Sequence, residues 1–396
     1  MTVSEIRALF AVANRPEVVS LAGGMPYLSA LPLDVVGDLV GKLIRDQGAN
    51  ALQYGAGQGE LALRERICEV MALEKISASA GDVVVTVGSQ HGLTLLAQAF
   101  LDPGDVVLAE GPSYVGALGV FAAAQAEVTH VPMDADGLDP AALADALATL
   151  RAQGKRAKFV YTVPNFHNPA GVTMTEERRD ALVALAQQYD VLIIEDNPYG
   201  LLGFEDEPGR ALRSRDSDRV IYLGSFSKTF APGLRTGWVL APPAVRQKLV
   251  LINEAQVLCP PQLTQRVITE YLTHHPWRQQ IKVFRELYQT RRDAMLSALN
   301  TMMPSGVSWE EPRGGFYIWL TLPEGIDSKS LLARALAHQV AYVPGVGFYS
   351  DGQGRGNLRL SYCFPEPERL VEGVRRFSSA LEQERALRSV FDGDVR

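Results

Sequence analysis

The chain is predicted to be an α/β protein, with a mostly parallel sheet in a large domain followed by a smaller α+β domain. Three observations predict this. Short β-branched runs alternate with amphipathic helical stretches between residues 83 and 241, the alternation stops near Ala255, and 396 residues suit two such domains in one body.

Val83–Val87, Val106–Glu110, Lys158–Val163, Val191–Glu195, Val220–Gly224 and Gly237–Ala241 read as strands, each bounded by Gly, Pro, Asp or Asn. Gln90–Leu101, Pro140–Gln153 and Thr175–Tyr189 read as helices. Thr175 with Glu176 and Glu177 behind it suits a helix start, because acids sit well at the positive end of the helix dipole. Strands alternating with helices imply a parallel sheet covered on both faces. Beyond Ala255 come a long helical region over Gln262–Leu299, ending before Pro304, and a strand at Gly315–Leu322. A helix at Ser328–Gln339 and strands near Val340–Val343 and Asn357–Tyr362 follow. The division expected is an N-terminal segment 1–32 packing with the small domain, a large domain 33–282, and a small domain 283–396. Residues Ser389–Arg396 read as a frayed tail.

A net charge of −7 and a pI near 5.5 argue against a nucleic-acid surface. Cys68, Cys259 and Cys363 are odd in number and far apart, which fits a reducing compartment better than a disulfide frame or metal knuckle. The first ten residues contain Glu5 and Arg7 and lack the apolar core of a signal peptide. No run approaches the roughly 20 apolar residues that span a bilayer. A cytoplasmic protein with no metal, nucleic-acid or membrane partner is expected.

The densest chemical cluster is Gly224-Ser225-Phe226-Ser227-Lys228, followed by Pro232-Gly233-Leu234-Arg235. It follows a strand, where ligands of open α/β sheets bind. Two hydroxyls and an arginine can hold a phosphate dianion beside the Lys228 amine. Asp196, ending an apolar strand, either caps the next helix or keeps a pyridine nitrogen protonated. Gly88-Ser89-Gln90 opens a helix whose N-terminus favours an anion. Tyr114 either packs in the core or lays its ring on a flat heterocycle. Asn168, in Asn165-Phe166-His167-Asn168-Pro169-Ala170-Gly171, can donate to a phenolate oxygen or simply shape an Asn-Pro turn. Arg359, between leucines in a strand, faces either solvent or a carboxylate.

In this order the motifs resemble the fold-type I pyridoxal-phosphate aminotransferases of class I/II, and within them the 2-aminoadipate and kynurenine aminotransferase branch. The similarity runs from about Ile6 to Phe377. It includes Ser20-Leu21-Ala22-Gly23-Gly24-Met25-Pro26, Leu52-Gln53-Tyr54-Gly55, Glu195-Asp196-Asn197-Pro198-Tyr199 and Leu358-Arg359-Leu360-Ser361-Tyr362. The resemblance implies the PLP-transferase fold and pyridoxal 5'-phosphate carried as an imine on Lys228, which then shuttles the proton. It places Asp196 at the pyridine nitrogen, Asn168 and Tyr199 at the phenolic oxygen, and Tyr114 on the ring. Ser89, Gln90, Ser225, Ser227 and Arg235 would hold the phosphate, with Tyr54 reaching it across a homodimer interface. Arg359 would grip the substrate carboxylate. Gly24 and Tyr27 would line the side-chain pocket, and Arg7 would read an acidic side chain. His167 stands where glutamine is common in the family, and His91 where glutamine or alanine is usual.

The expected reaction moves an amino group from an L-amino acid (2-aminoadipate, aromatic, branched or glutamate-like) to a 2-oxo acid such as 2-oxoglutarate. A lyase or aminocyclopropane-forming enzyme of the same fold is the alternative, and release of ammonia and pyruvate would mark the lyase. A non-enzymatic regulator with this fold is the more distant one, and a gel shift with promoter DNA would reveal it.

Overall fold

The computed structural model describes residues 15–204 and 207–393. In chain order the strands are β1 Val19–Ser20, β2 Val83–Thr86, β3 Val106–Gly111, β4 Glu127–Asp134, β5 Gly137–Leu138, β6 Ala157–Thr162, β7 Leu192–Asp196, β8 Val220–Ser225 and β9 Gly237–Leu240. Then follow β10 Ser308–Trp309, β11 Tyr317–Thr321, β12 Val340–Ala341, β13 Val343–Pro344 and β14 Asn357–Ser361. The α-helices are α1 Leu33–Ala51, α2 Leu61–Met71, α3 Ser89–Phe100, α4 Val115–Ala123, α5 Pro140–Ala152, α6 Glu176–Tyr189, α7 Pro243–Val257, α8 Gln262–His274, α9 Trp277–Met302, α10 Ser328–Ala337 and α11 Pro367–Gly393.

Among the described residues, eight strands form one sheet in the order β2-β9-β8-β7-β6-β3-β4-β5. The pairs β8–β7, β7–β6, β6–β3 and β3–β4 are parallel. β9 runs antiparallel to both neighbours, β2 and β8. Apart from the partly buried Ala157 and Leu192 at strand starts, apolar side chains on β2, β3, β6, β7 and β8 are buried, as expected of strands covered on both faces. A second, antiparallel sheet has the order β10-β11-β14-β13. β1 lies parallel to β12, so the N-terminal segment adds a strand beside the later part of the chain.

Local chemistry explains the helix boundaries. Asp139 accepts hydrogen bonds from the Ala141 and Ala142 amides ahead of Pro140, and Thr175 accepts one from Arg178 N. The region anticipated as one helix over Gln262–Leu299 is two, because His275 precedes Pro276 and adopts φ −117°, ψ 153°, the extended conformation a following proline enforces. The expected frayed tail is corrected as well, since α11 continues to Gly393. β4 was not anticipated. Its residues are mostly polar or half-exposed, so the strand lacks the apolar run that marks its neighbours.

Consecutive parallel strands place the chemistry. β6 leads into the Asn165–Gly171 turn, β7 ends at Asp196, and β8 ends at Ser225, all at the carboxyl edge of the sheet. β9 begins at Gly237 opposite both Thr86 and Ser225, which brings the start of α3 to the same edge. This is where a doubly wound sheet binds its ligands. Among the described residues, no helix is long and apolar enough to cross a membrane, and no group of three or more His, Cys, Asp or Glu side chains could hold a metal ion.

Candidate active site

A cavity of about 370 Å³ opens at this edge, lined by Lys228, Asp196, Tyr199, Asn168, Ser89, Gln90, Tyr114, Ser225, Ser227, Arg235, Gly24 and Arg359. A larger cavity of about 420 Å³ lies between Asn165–Glu176 and Glu310–Arg313. It contains none of Lys228, Asp196 or Arg359, so chemistry rather than size identifies the site.

Lys228 Nζ donates to Gly24 O at 2.9 Å. Burial lowers its pKa to about 8; Cys363 opposes this, and the smaller effects of Arg359 and Arg235 push the same way as burial. A lysine in this range carries a usable fraction of free amine near neutral pH. Asp196 is buried, with Oδ2 accepting from Tyr161 OH at 2.7 Å. Its Oδ1 is buried with no partner. Burial raises this carboxyl to about 6, and the Tyr161 hydrogen bond opposes the rise.

At the opposite side, Ser89 and Gln90 begin α3, where backbone amides are free of intrahelical partners. Gly88 precedes them with φ +78°, and a Cβ there would lie 2.5 Å from Arg235 Nη2, so glycine lets the guanidinium approach the helix start. Ser225 Oγ accepts from Ser227 N at 3.0 Å. The Gln90 side chain is occupied: Oε1 accepts from Tyr114 OH at 3.2 Å and Nε2 donates to Gly116 O at 2.9 Å. Gln90 therefore offers its backbone to an anion, and its side chain fixes the Tyr114 ring. Burial pushes the Tyr114 hydroxyl up to about 12, which keeps it protonated as a donor.

Arg359 donates to Asn168 Oδ1 and to Ala22 O, both at 2.7 Å, while its Nε is buried without a partner. Its guanidinium stacks 4.2 Å from the Tyr317 ring centroid. Among the described residues, neither Arg359 nor Arg235 meets a carboxylate at ion-pair distance. Arg359 is buried and Arg235 exposed; a buried guanidinium without a counter-charge is costly, so the Arg359 end of the cavity is built for an anion.

Two of the site residues named from the sequence do not line this cavity. Tyr54 is 76% exposed and lines a separate groove with Gln53, Gly55 and Arg266. Tyr27 does not line the cavity; its ring packs on the Arg291 guanidinium at 3.9 Å and its amide donates to Tyr288 OH. Arg7 lies outside the described residues. Tyr161, Tyr317 and Val115 belong to the site or its support and escaped sequence reading, because each sits in an apolar stretch that reads as core. The glycine pair Gly314-Gly315 before β11 was the available signal for Tyr317, since glycines at a strand start mark close approach.

Residues 17–377 match the family described as "Aminotransferase class I and II". The chain belongs to the class I and II aminotransferases. It is similar to the aromatic-amino-acid aminotransferase 1 of Thermococcus litoralis, 40% identical over 97% of this chain and 93% of that one. It is also similar to the 2-aminoadipate transaminase of Thermus thermophilus, 35% identical over 96% and 94%. The kynurenine aminotransferase of Pyrococcus horikoshii, solved in complex with PMP, superposes with a TM-score of 0.93 and 39% identity, covering 97% of this chain and 95% of that one. The chain is thus a pyridoxal-phosphate-dependent transaminase with the fold-type I architecture. Its residues fit the cofactor. The orphaned Asp196 Oδ1 matches a protonated ring nitrogen, the unpaired Arg235 beside the α3 start matches a phosphate, and Lys228 is an amine of suitably lowered pKa.

Proposed function

We propose that this aminotransferase moves amino groups between L-amino acids and 2-oxo acids with Lys228, Asp196 and Arg359 as its working residues. The observation that carries the reading is the charge pattern of one cavity: two arginines without carboxylate partners, an orphaned carboxylate oxygen, and a lysine with depressed pKa in the same lining.

When bound, pyridoxal phosphate supplies an aldehyde that condenses with amines and a pyridine ring that draws electrons from the substrate α-carbon. Ser89, Gln90, Ser225, Ser227 and Arg235 would hold the phosphate, and Tyr114 would pack against the ring. Asp196 would keep the ring nitrogen cationic, while Asn168 Nδ2 and Tyr199 OH would contact the phenolic oxygen. Arg359 fixes the substrate carboxylate through its planar fork, and its bonds to Asn168 and Ala22 O set the angle of that fork. Lys228 Nζ would take the α-proton of the substrate and serve as the proton carrier of the exchange. Gly24, Met25, Val115 and Tyr317 form the apolar and aromatic surface that receives the side chain, suiting aromatic, branched and 2-aminoadipate-like donors, with 2-oxoglutarate as acceptor. Reading an acidic side chain falls to Arg7, and a donor panel with Arg7→Ala decides it.

A cytoplasmic homodimer completes the site. Leu52 and Tyr54 are exposed beside Leu258 and Cys259, whose Sγ accepts from Gly55 N. An apolar face of this kind is what a second copy covers, and it would carry Tyr54 to the other subunit's phosphate. Sedimentation at the monomer mass alone would overturn this. The organisation proposed is a segment 1–32, a large domain 33–282 and a small domain 283–396, with α9 running through the junction as a continuous rod.

The test is chemical. Protein freed of cofactor and mixed with pyridoxal phosphate should give a borohydride-stable adduct on the peptide containing Lys228. Because only the free amine reacts, the rate of capture should climb as pH rises through about 8 and level off above it. Adduct on another lysine, or capture independent of pH across that range, would refute the assignment.

A further inference from the structure

We propose that His167, lodged beside Glu110, is a positioning residue that sets the Asn168 side chain between Arg359 and the cavity; the inference rests on the carboxylate-binding role assigned to Arg359 above. His167 and Glu110 are both 1% exposed, and neither lines the cavity.

His167 is tied to its own turn at three atoms. Its N–H donates to Val172 O at 2.8 Å, its carbonyl accepts from Gly171 N at 2.7 Å, and its Nδ1 accepts from Ala170 N at 3.2 Å. Because Nδ1 accepts, the ring proton sits on Nε2, the tautomer that faces Glu110. Nε2 lies 3.0 Å from Glu110 Oε2, too bent for a hydrogen bond, and has no other partner. The contact is therefore one of a ring N–H dipole against a buried carboxylate.

Glu110 is itself fixed. It lies one residue before the end of β3 and accepts from Thr162 Oγ1 at 2.7 Å, at the end of β6, and from Val163 N at 2.8 Å, the next residue. The carboxylate thus joins two adjacent parallel strands, and His167 leans on that joint. The imidazole spans the distance from the sheet edge to the Ala170 amide, so the turn that carries Asn168 is referenced to the sheet rather than left to the loop.

The consequence appears one residue on. Arg359 is only a donor, so the atom it meets at 2.7 Å is the Asn168 amide oxygen, which leaves Nδ2 for the cavity. Displacing the turn would move the Asn168 side chain that accepts from Arg359, and with it the fork that receives the carboxylate. Small misplacements of a binding group cost affinity out of proportion to their size.

The test uses the pyridoxal-phosphate-loaded protein and two probes by titration calorimetry, 3-phenylpropanoate and its neutral counterpart 3-phenylpropanamide. His167→Ala removes both anchors of the ring and should weaken 3-phenylpropanoate on the order of tenfold, with 3-phenylpropanamide unchanged. His167→Asn keeps an acceptor where Nδ1 stands, and His167→Gln keeps a donor that reaches Glu110. Each keeps one of the two anchors, so each should still bind 3-phenylpropanoate about threefold more weakly than wild type. The Michaelis constant for the amino donor should follow the same order. His167→Ala binding 3-phenylpropanoate like wild type would overturn the proposal, as would equal weakening of both probes, which signals general loosening. If the alanine variant does not fold, Asn and Gln variants that both match wild type overturn it. Wild-type protein that fails to prefer the carboxylate over the amide would instead refute the role of Arg359.

Discussion

Replacing Lys228 by alanine should lower amino-group transfer by about 10⁴-fold or more, the upper end of what a positioned acid-base group contributes. Among the residues lining the cavity, Lys228 is the only amine, and the other two bases, Arg235 and Arg359, stay protonated at any working pH and cannot accept a proton. The tyrosines do not substitute. Burial lifts Tyr199 well above its ordinary range and Tyr114 to about 12, so neither gives up its proton near neutrality. Lys228 differs because burial acts on a cation and lowers its pKa to about 8. Its resting contact, the Gly24 carbonyl at 2.9 Å, is a single hydrogen bond to a neutral acceptor, which leaves the amine free to change partners. Rapid mixing of amino acid with the loaded protein, followed as formation of the pyridoxamine form, measures the effect. A Lys228→Ala variant within about a hundredfold of wild type would show that another group moves the proton.

Much of this was legible in the amino-acid order, and for a physical reason. A parallel strand buried on both faces must be an apolar run, and its carboxyl end must turn sharply, so polar residues such as Asp196, Asn168 and Ser225–Lys228 stand out where the run stops. Boundaries for those strands differ from the structure by a residue at most. Legibility fails where that contrast is missing. β4 alternates Glu127, Thr129 and Asp134 with half-buried neighbours and gives no run to detect. Tyr161 and Tyr317 lie within strands, and a strand tyrosine that supports Asp196 or Arg359 has the same pattern as one that packs. The Gln90 side chain reads as a phosphate ligand, yet its partners Tyr114 and Gly116 lie more than twenty residues away and become visible only in three dimensions. His167 is the sharpest case: the sequence singled it out as unusual, and only the fold shows that Glu110, from another strand, stands behind it.

Asp196→Ala should lower kcat/KM by about 10³-fold, the scale of removing a preorganised charge from where charge develops in the transition state. Two opposed influences set the state of this carboxyl. Burial raises its pKa to about 6, and the Tyr161 hydroxyl, donating at 2.7 Å, works against that rise. The remaining oxygen has no partner, so an ionised Asp196 is an uncompensated buried charge until a cation meets it. Asp196 would hold a pyridine nitrogen in its protonated form at that oxygen, and the cationic ring would supply the electron-withdrawing chemistry. Asp196→Asn preserves shape and removes charge, so it should be nearly as damaging as alanine if charge is the essential property. Tyr161→Phe separates the two influences. Losing that hydrogen bond raises the Asp196 pKa further, so the acid limb of cofactor binding, set by protonation of the carboxyl, should move from about 6 toward neutral pH while the plateau above it is retained. Half-reaction kinetics and pH titration of cofactor affinity decide both points. An Asp196→Asn variant within about tenfold of wild type would mean that the ring nitrogen works without a counter-charge, and the chemistry assigned to the floor of this cavity would then rest on hydrogen bonding alone.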